Sequence, residues 1–80
     1  MMNCKIIYFG LIADALGMPT ETLQVPSSDG PIDLRGFLEE KYPALKTLTW
    51  KLAVDQEIVD GLCTLTESSE IVLLPPFAGG

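Results

Sequence analysis

The chain contains no histidine, so it lacks the side chain most often used for proton transfer near neutral pH. It is also poor in positive charge. Lys5, Arg35, Lys41, Lys46 and Lys51 are its only bases, they face eleven acids, and they form no run. Nucleic-acid binding rests on neutralising phosphates, and a net charge of −6 with scattered cations argues against it. Two cysteines, Cys4 and Cys63, are too few and too far apart for a disulfide framework or a metal knuckle. They read as reduced structural thiols of a reducing, cytoplasmic compartment. No apolar run approaches the ~20 residues of a membrane span. Lys5, the run Ile6–Ala13 and the triplet Ala13-Asp14-Ala15 loosely imitate a secretory signal. Cleavage there would remove the best strand candidate in the chain, so the signal reading is set aside. Nucleophile-elbow, phosphate-loop and dinucleotide motifs are missing as well. The carboxylate pairs Glu39-Glu40 and Glu57/Asp60 read as exposed helix and turn acids. No cation stands near Cys63 in sequence to lower its pKa. Neither a self-contained active site nor a metal site is expected.

What is present suits one small folded domain. Eighty residues bury only about 60% of the surface their unfolded chain exposes. A hydrophobic content of 48% is enough to argue against disorder. The acidic surface either keeps the domain soluble or suits a basic protein partner.

Asn3–Phe9 is β-branched and aromatic, and reads as a strand. Gly10–Leu16 follows as a short helix with Leu11, Ile12, Ala15 and Leu16 on one face, stopped by Gly17 and Pro19. Thr20–Val25 alternates, and reads as a half-exposed strand antiparallel to the first. Pro26–Gly30 is a turn. The main helix is expected to carry Pro31 in its first turn, with Asp33 near its positive end and a buried stripe of Leu34, Phe37, Leu38 and Tyr42. Gly36 costs that helix about 1 kcal/mol against alanine, and Pro43 ends it. Residues 44–50 read as an irregular or short helical connection. Two short strands, Lys51–Asp55 and Glu57–Val59, flank a turn at Asp55-Gln56, and Asp60-Gly61 is another turn. Glu70–Leu74 is a last, continuously apolar strand. The order predicts an α+β fold, a small mixed sheet with one main helix packed across it, with the last strand central beside the first. Pattern alone does not separate a β-grasp from other small α+β folds.

The most specific stretch is the last one. Residues 1–74 read as the domain and 75–80 as an extended tail, Pro75-Pro76-Phe77-Ala78-Gly79-Gly80. Neither proline has an N–H to donate, so the pair ends sheet pairing and stiffens the root of the tail. The two glycines make a tip bare enough to enter a narrow channel. Six residues reach at most ~20 Å.

These residues resemble the end of the small subunit of molybdopterin synthase, the MoaD-type sulfur carriers of the ubiquitin-like MoaD/ThiS family. That family closes its last strand with Pro-Pro, two residues and Gly-Gly, and opens with a strand running into a short helix, as Lys5–Phe9 into Gly10–Gly17 does here. Thiamin-type sulfur carriers also end in Gly-Gly but usually lack the Pro-Pro. The chain departs from the family where Asp55 replaces the usual Asn and where Thr66–Glu70 lacks the usual turn glycine. It departs again at Phe77 and Ala78, which stand where Val and Ser or Thr are common.

The resemblance implies a β-grasp, ubiquitin-like fold that binds no cofactor by itself. It implies that an ATP-dependent, ubiquitin-activating-type enzyme adenylates Gly80. A sulfur donor protein then converts it to a thiocarboxylate, and the tail enters the large molybdopterin synthase subunit to supply sulfur for the dithiolene. Gly80 would carry the sulfur, Gly79 thread beside it, Ala78 and Phe77 line the channel, and Pro76 and Pro75 set the exit angle. Phe9, Ile58 and Leu74 would form the partner interface, unless they are plain core, and two large and two small subunits would assemble as a heterotetramer. The other readings are a ubiquitin-like protein modifier, a thiamin-type sulfur carrier and a non-covalent binding module.

Overall fold

The computed structural model describes residues 1–27 and 29–76. Its organising feature is the period-two burial of the first strand, β1 (Met2–Tyr8): Met2, Cys4, Ile6 and Tyr8 are buried, while Asn3 and Lys5 are exposed and Ile7 is half-buried. Alternation of this kind forces one face of the sheet to be covered and lets the other meet solvent. β2 (Thr20–Val25) pairs antiparallel with β1 and turns Leu23 and Val25 to the same buried side.

The remaining strands complete a five-stranded sheet. β4 (Lys51–Val54), β5 (Glu57–Val59) and β7 (Glu70–Leu74) join it in the order β2-β1-β7-β4-β5, with β7 parallel to β1 and antiparallel to β4. The last strand is therefore central, and the architecture is a β-grasp. Its apolar run is not buried on both faces, however. Ile71 and Leu73 are fully enclosed, whereas Val72 and Leu74 are half-exposed.

The helices cover the Met2–Tyr8 side. α1 (Gly10–Leu16) inserts Ile12 into the core and rests Leu16 against it. Leu11 and Ala15 point to solvent, contrary to the expected apolar face, because a seven-residue helix tangent to the core buries only one narrow stripe. α2 (Leu34–Lys41) buries Leu34 and Leu38 and packs Phe37 against the same cluster, as does Tyr42 just beyond its end. Pro43 opens a 3-10 turn, Pro43–Thr47, which contributes Leu45.

Two details correct the expected main helix. Pro31 lies outside it, because residues Ile32–Asp33 form a short strand, β3, that pairs with β6 (Leu62–Cys63). Asp33 is then the N-cap and its carboxylate accepts the Gly36 N–H at 3.0 Å. That bond explains Gly36: a side-chain carbon there would collide with the Asp33 carboxylate folded over it. Arg35 stacks on the buried Trp50 ring, 3.9 Å from its centroid, and donates to the Asp60 and Trp50 carbonyls, tying α2 to the segment around β6.

Candidate functional site

β7 carries the chain to the tail, and both of its ends are anchored. At its start the Asp55 N–H donates to the Glu70 carbonyl at 2.9 Å, and the Glu70 N–H returns the bond to Asp55 Oδ1 at 2.9 Å. Just upstream, the buried Ser69 hydroxyl accepts the Thr66 N–H at 2.9 Å, and the Ser69 N–H reaches the Thr66 carbonyl at 3.1 Å. Residues 66–70 thus turn through serine, with neither a glycine nor a left-handed residue. At its end the Phe9 N–H bonds the Leu73 carbonyl at 3.1 Å. Pro75 has no N–H with which to continue the ladder. Its ring lies against the β1–α1 corner, half-buried, and Pro76 is exposed. Phe77, Ala78, Gly79 and Gly80 lie outside the described residues.

The face of the sheet opposite the helices is apolar at its centre. The register aligns Thr20, Ile7, Val72, Ala53 and Ile58 in one row across all five strands. In the next row toward the tail, Leu74 stands opposite Lys51, and continuing the β1–β7 register brings Phe9 beside Leu74. Phe9 is 48% exposed and Ile58 56%, which removes the core alternative for both; Leu74 is half-buried. Phe9, just beyond the end of β1, and Ile58 on β5 are separated by three strand spacings, about 14 Å across the sheet, and by a further two residues along the strands. Together these side chains make a partly exposed apolar strip beside the root of the tail.

Burial holds the thiols and both phenols of the folded body in their neutral forms. Burial, then the charge of Glu67, raises the Cys4 thiol pKa; burial, then the charge of Asp33, raises that of Cys63. Both shifts disfavour the thiolate. Tyr8 and Tyr42 converge on Glu21: Tyr8 donates at 2.8 Å, and the Tyr42 hydroxyl lies 2.6 and 2.7 Å from the two carboxylate oxygens. Burial first, and the bond to Glu21 second, raise both phenols, Tyr42 to about 12. They stay protonated and act as donors that join β1, β2 and the end of α2. Among the described residues no His, Cys, Asp or Glu group has the arrangement of a metal site.

Sequence reasoning misses two features. The Glu21 cluster spans residues distant in the chain and has no local signal. Gly10, against which Pro75 rests, reads from sequence only as the first residue of a helix; a glycine directly between a strand and a helix is the available clue.

The described chain has no helix long and apolar enough to cross a membrane. The ThiS family model matches residues 6–80. The molybdopterin synthase sulfur carrier subunit of Caenorhabditis briggsae is 34% identical over the full length of both chains. The human protein of that name is 32% identical, covering all of this chain and 97% of the other. Among solved structures, small archaeal modifier protein 1 from Methanosarcina acetivorans superposes with a TM-score of 0.66 at 28% identity, over all of this chain and 98% of that one. With the β-grasp topology and a match over all but the first five residues, the chain belongs to the ThiS family.

Proposed function

We propose that this chain is a sulfur carrier of the molybdopterin synthase type, acting through its C-terminal glycine. The observation that carries the reading is end-to-end similarity to relatives bearing that name, in a chain whose central strand leads into Pro75-Pro76-Phe77-Ala78-Gly79-Gly80. A carboxylate resists nucleophilic attack because its carbon is shielded by negative charge. Transfer of AMP from ATP to the Gly80 carboxylate gives a mixed anhydride and releases pyrophosphate. Sulfide then adds to the carbonyl carbon and AMP leaves, so one oxygen departs with AMP and a thiocarboxylate remains. With a protein persulfide as donor, the first product is an acyl disulfide, which a second thiol reduces to the same thiocarboxylate. The folded body contributes presentation: a rigid root at Pro75-Pro76 and the strip around Phe9, Ile58 and Leu74 for docking.

The partners in this reading are an adenylating enzyme, a sulfur donor protein and the large synthase subunit, which receives the tail in its own active site. The test is intact-mass analysis of the purified chain after incubation with its activating enzyme, ATP and a sulfur source. The expected gain is about 16 Da, one oxygen replaced by sulfur, absent from a chain lacking Gly80. No gain with a competent activating enzyme refutes the reading. The name of the archaeal neighbour favours a second reading, a protein modifier joined to lysines through the same activated glycine. Isopeptide-linked adducts of the chain in cells, without pterin sulfuration, would select it.

A further inference from the structure

We infer that Gly10 is a positioning residue for the tail: it sets the direction in which the chain leaves β7. This inference rests on the sulfur-carrier reading for its consequence but on geometry for its substance. Phe9 is extended (φ −115°, ψ 150°), its carbonyl accepts the Ile12 N–H at 3.1 Å, and Gly10 between them adopts φ +57°. One left-handed residue therefore turns β1 into α1, a conformation that side chains other than glycine's rarely adopt.

The same corner bears the tail. A side-chain carbon on Gly10 would stand 3.4 Å from Pro75 Cγ and 4.0 Å from Cδ. The Pro75 ring cannot swing aside, because it is closed on its own backbone and holds φ fixed. A group larger than a methyl at position 10, where it is turned toward the ring, therefore presses on the backbone of Pro75. The Phe9–Leu73 hydrogen bond one step upstream holds β7 in place, so the movement becomes a tilt of the segment beginning at Pro75. Gly80 lies five residues beyond Pro75 in sequence, so the direction set at Pro75 is where its path begins. A misplacement of about 1 Å can cost a reaction on the order of 100-fold.

The fold supplies its own control. Gly17, at the other end of α1, is also left-handed (φ +76°) but has nothing within 4 Å of a would-be side chain. Gly10→Val and Gly17→Val therefore impose the same kind of backbone penalty on the same helix, and only the first reaches the tail. The measurements are thiocarboxylate formation at Gly80 by the activating enzyme, resolved into kcat and KM, and Cα–Hα residual dipolar couplings of Pro75 and Pro76. For Gly10→Val, kcat should fall about 10-fold or more with KM changed less than about twofold, and the couplings should shift. Gly17→Val should keep wild-type kcat and couplings at equal thermal destabilisation. If either valine variant fails to fold, Gly10→Asn and Gly17→Asn, which carry a group larger than a methyl yet tolerate the left-handed conformation, are compared in the same way. Equal losses at both positions, or no change at Gly10, overturn the inference. If the wild-type chain is not adenylated at all, the functional reading fails, and the couplings alone then decide whether Gly10 orients Pro75.

Discussion

Asp55 offers a stringent test of how this fold secures the strand that carries the tail. It sits in the β4–β5 turn at φ +51°, and its carboxylate accepts the Glu70 N–H at 2.9 Å. In Asp55→Ala two contributions disappear. The bond from a backbone N–H to a carboxylate would be worth more if buried; at this exposed position about 1 kcal/mol is reasonable. Alanine also tolerates a left-handed turn less well than aspartate, at about 0.5 kcal/mol more. The sum, about 1.5 kcal/mol, corresponds to a fall in Tm of roughly 6–12 °C for a domain of this size. Asp55→Asn keeps an Oδ1 acceptor and a residue suited to the turn, and should stay within about 0.5 kcal/mol of the parent. Urea denaturation with a constant m-value, followed by far-ultraviolet circular dichroism, measures both variants. Were asparagine as damaging as alanine, or alanine harmless, the clamp between the turn and β7 would not be what holds this end of the strand.

Two further outcomes are expected at the site. The Tyr42 phenol is raised from 10 to about 12, chiefly by burial. A group whose folded pKa exceeds its unfolded value contributes stability that is fully present below the unfolded pKa. The Tyr42 contribution should therefore be intact below pH 10 and lost as the pH rises from 10 through about 12. Urea midpoints of the parent should fall over that interval, and Tyr42→Phe should show a smaller fall; an identical profile would contradict the assignment. Ile58→Ser alters a side chain that is 56% exposed, so its stability should change by no more than about 0.5 kcal/mol. Calorimetric affinity for the large synthase subunit should drop at least about fivefold if the open sheet face is the docking surface, and unchanged affinity would place docking elsewhere.

Much of the fold was legible because short-range physics was strong where the residues spoke. The alternation of Thr20–Val25 matched β2, Pro43 marked the end of α2, and Asp55-Gln56 formed the expected turn with both residues left-handed. The paired strands β3 and β6 were not legible: two residues are too few for any periodicity, and their pairing depends on α2 bringing residues 32–33 beside 62–63. Pro31 was misplaced for the same reason, since a proline suits the residue before a short strand as readily as a first helical turn.

The candidate site divides along a related line. Composition and order along the chain were enough to set a small α+β domain with a mixed sheet as the expectation, which the family resemblance narrowed to a β-grasp, and to single out the Pro-Pro and Gly-Gly ending, because these depend on residue identity and local backbone chemistry. Tertiary structure decided the rest. Ile58 is exposed because β5 is an edge strand of a sheet whose helices lie on its other side; Glu21 gathers two tyrosines from distant parts of the chain; and Pro75 rests on Gly10 because β7 runs parallel to β1. Each is a meeting of residues far apart in sequence, and such meetings arise from strand order and packing, which no local pattern encodes.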